Sequence, residues 1–357
     1  MPENRSNNKR RTNSRPSGHH GPKKKKRVPN YPRILGWSFG LLLVIAIIVI
    51  VLRISIWDKG IAYIMTPEDY EKIKLDTLDN VILMPPSVLN PDSDDGVTRV
   101  LVFGNDSYRA GKDKEKSILD QFSKELDGKN VELIDCCLPG SYMISYNETE
   151  ESPAECPEDY FTLFWLVLNT NSKDFSKQEE ALQYLDSSKY DMDRYREVVS
   201  ILKNVDFKNI DVVLFCYDGH DYVKGNKPIN YLGEDAQTEN VATHLGAIYV
   251  TIYVINSVNP DTQFVYVSPA FCYATDENGK KVSCAMYDTG YGTIEEMFNS
   301  ARLVTNYYGM SYVDMYSGVL INENNGKHYL EDDGITPNEK GRKMIADRLV
   351  TLLKDRL

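Results

Sequence analysis

Apolar positions along this chain fall into runs of three kinds, and each predicts a different element. The first is residues 34–52, ILGWSFGLLLVIAIIVIVL, with no charged side chain. As a helix rising about 1.5 Å per residue it spans roughly 29 Å, close to the hydrocarbon thickness of a bilayer. Trp37 and Trp57 flank the run at interfacial positions and Arg53 closes its outer end. The run is longer than the core of a cleaved signal peptide, and no small-x-small cleavage site follows it. It reads as a retained transmembrane signal anchor over 34–56, in preference to a buried core helix.

The second kind begins at residue 98. Short β-branched runs, TRVLVFG, VELIDC, IDVVLFCYD, QFVYVSPAF and SYVDM, alternate with stretches of helical periodicity. Ile118, Leu119, Phe122 and Leu126 share one face of a helix expected near 113–127. Further helices are expected over 161–170, 177–185, 193–205, 239–259 and 293–308, and a closing one from about 336 with Pro337 near its first turn. Near-continuous apolar strands separated by helices predict a parallel sheet covered on both faces. The fold class is therefore α/β, a three-layer α/β/α domain over 97–357 with a five-stranded parallel sheet, plus the N-terminal transmembrane helix. The third kind is polar or turn-rich. Residues 57–96 read as a stalk and linker, and 272–290 as an excursion with a hairpin turning at Glu277-Asn278-Gly279.

Charge then adds an orientation. The chain of 357 residues carries a net charge of -11, but residues 1–33 hold eleven Lys and Arg against Glu3 alone, so the remainder stands at -21. The tail is too polar to build a core and reads as disordered. PKKKKRV taken alone resembles a nucleic-acid patch. Ahead of a membrane span, the positive-inside rule explains it better, with the N-terminus cytoplasmic and the remainder extracytoplasmic. No nucleic-acid partner is expected; the membrane, through the anchor, is. Outside the cytoplasm disulfides are permitted. Cys272 and Cys284 could close a short loop, and Cys136 or Cys137 could reach Cys156, but spacing alone decides neither. The cysteines lack zinc-site spacing, so no metal is expected, and no glycine loop of a nucleotide site is present, so no cofactor is expected. Asn105-Asp106-Ser107 and Asn147-Glu148-Thr149 match the N-glycosylation sequon.

Ligands of parallel sheets bind beyond the carboxyl ends of the strands. Four segments fall there: Gly104-Asn105-Asp106-Ser107, Leu138-Pro139-Gly140-Ser141, Tyr217-Asp218-Gly219-His220-Asp221, and Asp332-Asp333-Gly334-Ile335-Thr336-Pro337-Asn338 before the last helix. In this order they resemble the motif blocks of the SGNH/GDSL hydrolases over about 97–355. The last, DGITPNEKG, is similar to that family's DGxHPNxxG ending with one change. The resemblance implies a flavodoxin-like strand order 2-1-3-4-5 and a serine ester hydrolase chemistry, in which a serine hydroxyl needs an adjacent base and the tetrahedral anion needs preorganised donors.

Carried over residue by residue, the resemblance makes Ser107 the nucleophile, Gly140 and His220 the oxyanion donors, and Asp333 the residue that orients the base. Two registers are open in the first block. Either Asp106-Ser107 is the Asp-Ser pair with Asn105 inserted, or the strand end sets the register and Asp106 stands in the nucleophile position. The family's block-three asparagine is His220 here, and its block-five histidine is Thr336, whose hydroxyl is no general base near neutral pH. His220 can serve as base or donor; His328, on an expected loop, could swing inward; His244, within a helix, is expected to pack. Tyr108, Tyr142, Tyr146, Tyr217 and Tyr222 lie near strand ends and could stack on sugar rings. The 157–204 helices are expected to cap one side of the site. Two functions follow from the resemblance. One is a membrane-anchored extracytoplasmic esterase or O-acyl transfer enzyme on a bacterial cell-envelope polysaccharide or acylated glycan. The other is an inactive SGNH-fold glycan-binding or assembly protein.

Overall fold

The computed structural model describes residues 30–57, 76–89, 95–147, 150–223, 239–288 and 292–357. The basic tail before residue 30 and the stalk over 58–75 and 90–94 lie outside the described residues. Two compact units are present, 1–69 and 70–357. In the first, helix α1 (Tyr31–Trp57) holds the uncharged run 34–52 between Arg33 and Arg53 and is, among the described residues, the one helix long and apolar enough to cross a membrane.

The second unit is built on five parallel strands, β1 (Thr98–Gly104), β2 (Val131–Asp135), β3 (Val212–Cys216), β4 (Gln263–Val267) and β7 (Ser311–Val313), in the order β2-β1-β3-β4-β7. Counted along the sheet this is the expected 2-1-3-4-5. Strands β5 (Tyr273–Thr275) and β6 (Lys281–Ser283) form a separate antiparallel hairpin turning through Asp276–Lys280, as the Asn278-Gly279 signal implied.

Alternation along the strands sorts the core onto two faces. Leu101, Phe103, Val213, Phe215, Phe264 and Tyr266 point to one, where α3 (Leu163–Ser172), α4 (Met192–Asn204), α5 (His244–Asn256) and α6 (Ile294–Tyr307) cover them. Val100, Val102, Val212, Leu214, Val265 and Val267 point to the other, under α2 (Ile118–Glu125) and α7 (Glu339–Leu353). Both faces are buried at the centre of the sheet, so β3 is apolar throughout, whereas the edge strand β2 carries Glu132 and Asp135 and is only partly buried.

Helix boundaries shift from the expected ones where capping side chains intervene. Ser117 and Asp120 form a reciprocal capping box, so α2 starts at Ile118 and not near 113. Thr243 caps α5, which therefore starts well inside 239–259. Asn338 caps α7 by accepting from Lys340 and Gly341, which leaves Pro337 ahead of the helix and not within its first turn.

One boundary is corrected more substantially. Residues 57–96 read as stalk and linker, yet 76–84 belong to the domain. Asn80 and Tyr312 exchange backbone hydrogen bonds at 2.9 Å, Ile82 N–H donates to Ser311 Oγ, Leu78 N–H donates to Asp314, and Leu83 is buried. The segment covers the open edge of β7, protecting unpaired backbone that would otherwise template pairing with another chain. Its shortness concealed this: DTLDNVILM lies between a polar stretch and a proline-rich one, and an edge cover needs only main-chain groups and one buried side chain.

Candidate functional site

The four motif segments do converge at the carboxyl end of the sheet. Strand β1 ends on Gly104, paired with Cys216 at the end of β3. Asn105 follows in a non-helical conformation and the short helix Asp106–Arg109 starts next. Asn105 is fully buried, which removes it as a glycosylation site. Its side-chain oxygen accepts from Asp218 N–H at 3.0 Å, tying the end of β1 to the turn after β3. Its Nδ2 is buried without a protein acceptor among the described residues.

Asp218 is the hub of that turn. Its Oδ2 accepts from Ser107 N–H at 3.0 Å and from the Ser107 hydroxyl. Its Oδ1 accepts from His220 N–H at 2.8 Å and faces His220 Nδ1 at 2.8 Å. The other ring nitrogen, Nε2, lies 3.6 Å from Asp333 Oδ2. Asp333 is held in turn by the Ile335 and Thr336 amides on Oδ1 and by the Thr336 hydroxyl, 2.6 Å away, on Oδ2.

These contacts set the protonation states. Burial alone would push the His220 pKa down, but the Asp218 charge, its hydrogen bond and Asp333 outweigh it and raise the value to about 10. His220 is therefore an imidazolium at neutral pH, with both nitrogens donating. Burial opposes ionisation of Asp218 and Asp333 too, yet the hydrogen bonds and the His220 charge win and hold both carboxyls below their usual range. Asp106 goes the other way: burial first, then the Asp218 charge, raise its pKa.

Asp106 lies on the second block. Its Oδ2 accepts from Gly140 N–H at 2.8 Å. Gly140 has φ +82°, and a β-carbon there would stand 2.8 Å from the Tyr190 ring, so only glycine fits the turn. Tyr195 donates to the Pro139 carbonyl at 2.9 Å. Arg194 anchors α4 to the end of β2 through the Asp135 and Cys137 carbonyls and the Asp135 carboxylate. The 157–204 region thus brings Tyr190 and Tyr195 over Gly140, as a cap on one side of the site should. Met143 N–H donates to Asp221 at 2.9 Å and links the second block to the third.

The structure thus gathers Ser107, Asp218 and His220 through hydrogen bonds, and Asp333 with Thr336 through a 3.6 Å ion-pair contact to His220, with Asp106 and Gly140 beside them. Ser107 is buried and lines a closed pocket with Gly219, Pro269, Ile335 and Pro337 that has room for about one water (~10 Å³). No histidine nitrogen among the described residues is hydrogen-bonded to its hydroxyl. His244 is buried in packing, with Nε2 3.0 Å from the Tyr266 hydroxyl and burial lowering its pKa to about 4. His328 is exposed in a single turn, Gly326–His328, and does not join the site. Among the described residues, no group of three or more His, Cys, Asp and Glu could hold a metal ion.

Two contributors have no role in the sequence pattern of the four blocks. Asp218 falls inside the third block, and the signal that could have found it is its place two residues before a histidine, the spacing of an Asx turn. Tyr190 lies in a polar loop and carries no motif signal.

No family model and no curated protein matches the chain. Solved structures do. A protein from Lactobacillus plantarum is 12% identical, with 74% of this chain and 100% of that one covered and a TM-score of 0.45. A member of the lipolytic protein G-D-S-L family from Veillonella parvula is 10% identical, with 73% and 100% covered and a TM-score of 0.38. A salicylyl-acyltransferase from a tetracycline biosynthetic pathway is 12% identical, with 74% and 56% covered and a TM-score of 0.38. The strand order, and the gathering of the four segments at the carboxyl end of the sheet, are those the SGNH resemblance implied.

Proposed function

We propose that the chain is a single-pass bacterial envelope protein, N-terminus cytoplasmic, whose outer SGNH-like domain binds an acylated cell-surface glycan and does not turn it over through Ser107. One observation carries this reading: the Ser107 hydroxyl donates to Asp218, and both His220 nitrogens face carboxylates. A serine nucleophile needs a neutral base to take its proton. Here the nearby imidazole is already protonated and the nearby carboxylate is held below its usual pKa.

The register supported by this geometry places Asp106 where the family has its serine, because Asp106, and not Ser107, meets the Gly140 amide. Ligand contacts fall to the Asp106 and Gly140 pair, the outer edge of His220, and the rings of Tyr142, Tyr146 and Tyr190. Tyr142 and Tyr146 meet edge to face at 5.4 Å, and Tyr190 packs on Tyr195 at 5.6 Å, an aromatic wall of the kind that stacks on sugar rings.

A second reading, turnover through a rearranged relay, is favoured by the Gly140 amide and the His220 imidazolium together, since both are donors suited to a developing oxyanion. A fluorophosphonate probe separates the two. The wild type is expected to stay unlabelled, and the double variant Asp106→Ser, Thr336→His to label, because it puts a serine and a base at the two family positions. In affinity gels the wild type is expected to be retarded by envelope polysaccharide with its acyl groups retained and not after alkaline stripping. Labelling of the wild type that disappears in Ser107→Ala overturns the binding-only reading.

A further inference from the structure

The β5–β6 hairpin packs beside the turn that carries Asp218 and His220. Its register pairs Tyr273 with Ser283, so Cys272 and Cys284 are directly opposed at its open end, and Cys284 N–H donates to the Cys272 carbonyl at 3.3 Å. Their sulfurs lie 3.4 Å apart and both residues are buried. Opposed residues of an antiparallel ladder have Cα atoms about 4.5–5.5 Å apart, within the roughly 4.4–6.8 Å that a disulfide bridges. The Cys272 sulfur also presses on Gly219, where a β-carbon would lie 2.5 Å from it. Gly219 is the residue between Asp218 and His220, so whatever fixes Cys272 also fixes the wall of the site.

We infer that Cys272 and Cys284 are a dithiol that closes to a disulfide and staples the hairpin against the His220 turn. The step balances as thiol–disulfide exchange with an external disulfide. One cysteine thiolate attacks the oxidant's sulfur and releases its first thiol. The second cysteine thiolate then displaces the remaining thiol, so the S–S bond forms here, the oxidant is reduced to two thiols, and the two protons pass to them. The hydrogen bond shared with the Cys284 thiol, and then burial, hold the Cys272 thiol well above its usual pKa, so exchange is slow in the folded domain and fastest as the hairpin forms. In a cell the oxidant is met only on the outer side of the membrane, as the anchor reading implies. The chemistry of the pair does not depend on that reading or on the ligand.

The test uses the purified full chain in detergent, unfolded in urea and reduced completely, then refolded in oxidised glutathione. Mass spectrometry is expected to find a peptide linking Cys272 to Cys284, with a loss of two hydrogens from the intact chain. The melting temperature is expected to rise by about 5 °C. Cys272→Ser and Cys284→Ser should abolish both changes, and Cys156→Ser should preserve both. A folded wild-type chain that forms no Cys272–Cys284 peptide, or links another pair instead, overturns the inference. Because the wild-type mass is itself the readout, a variant that fails to fold does not blunt the test.

Discussion

Two carboxylates grip His220 from opposite sides, and they are built in opposite ways. Asp218 is buried and accepts from the Ser107 amide, the Ser107 hydroxyl, the His220 amide and the His220 ring. That is close to the full capacity of a carboxylate, about four bonds. Asp333 stands at the rim with its side chain 31% exposed, takes its bonds from its own turn, and reaches His220 only at 3.6 Å. The contrast assigns different work to the two nitrogens of one ring. The Nδ1 side is locked into the fold, whereas the Nε2 side faces a partner that a ligand can displace.

The largest expected effect comes from deleting each partner in turn. Asp218→Ala leaves a buried imidazolium and a buried hydroxyl without their acceptor, and should cost about 3–5 kcal/mol in urea unfolding. Asp333→Ala should cost about 1 kcal/mol, because solvent can replace a half-exposed partner. Equal losses would break the contrast. The pH profile sharpens it. The folded His220 pKa of about 10 exceeds the ordinary 6.5, so its pairing contributes fully below pH 6.5 and is lost as pH rises towards 10. The Asp333 value is depressed, so its contribution is present above the ordinary 3.8 and lost as pH falls through the depressed value. His220→Gln should therefore remove the alkaline loss between 6.5 and 10 from a stability-versus-pH curve while leaving the acid limb from Asp333's turn bonds. An unchanged alkaline limb would place the titration on another group.

The same contrast separates what could be read in the sequence from what could not. The five-stranded parallel order was legible because both faces of the sheet are buried, which forces runs such as VVLFC to be apolar throughout. The ends of the strands were legible because turns require residues such as Gly140 at positive φ. What sequence could not supply was direction. Ser107 and Asp106 are neighbours, and a single residue of register decides which one meets Gly140. That choice is made by Asn105, whose side chain ties the strand end to Asp218 across 113 residues of chain. A contact so distant in sequence has no local signature. The docked segment 76–84 was missed for a related reason, since its partners Tyr312 and Asp314 lie far along the chain.

A smaller effect is expected at Ser107. Ser107→Ala removes one hydrogen bond to a buried carboxylate, but the Ser107 amide and both His220 contacts remain on Asp218. The loss should be about 1.5–2 kcal/mol in urea unfolding, with glycan retention in the affinity gel unchanged. If retention falls while stability holds, the hydroxyl faces the ligand and the buried side of the contrast is misassigned.

The smallest expected effect is at Thr336, and it probes the open side most directly. The Thr336 hydroxyl donates to Asp333 Oδ2, the same oxygen that faces His220 Nε2. It therefore competes with His220 for that oxygen while helping to hold the Asp333 carboxyl below its usual pKa. In Thr336→Val the hydroxyl is lost, but the two amide bonds to Oδ1 keep the turn in place. Stability should fall by about 0.5 kcal/mol, as for a solvent-exposed hydrogen bond. The Asp333 carboxyl, followed by its carbon chemical shift through an acid titration, should move up towards the ordinary value. A loss matching that of Ser107→Ala would mean that the fold holds Asp333 no less firmly than it holds Asp218, leaving no side of His220 free for a ligand.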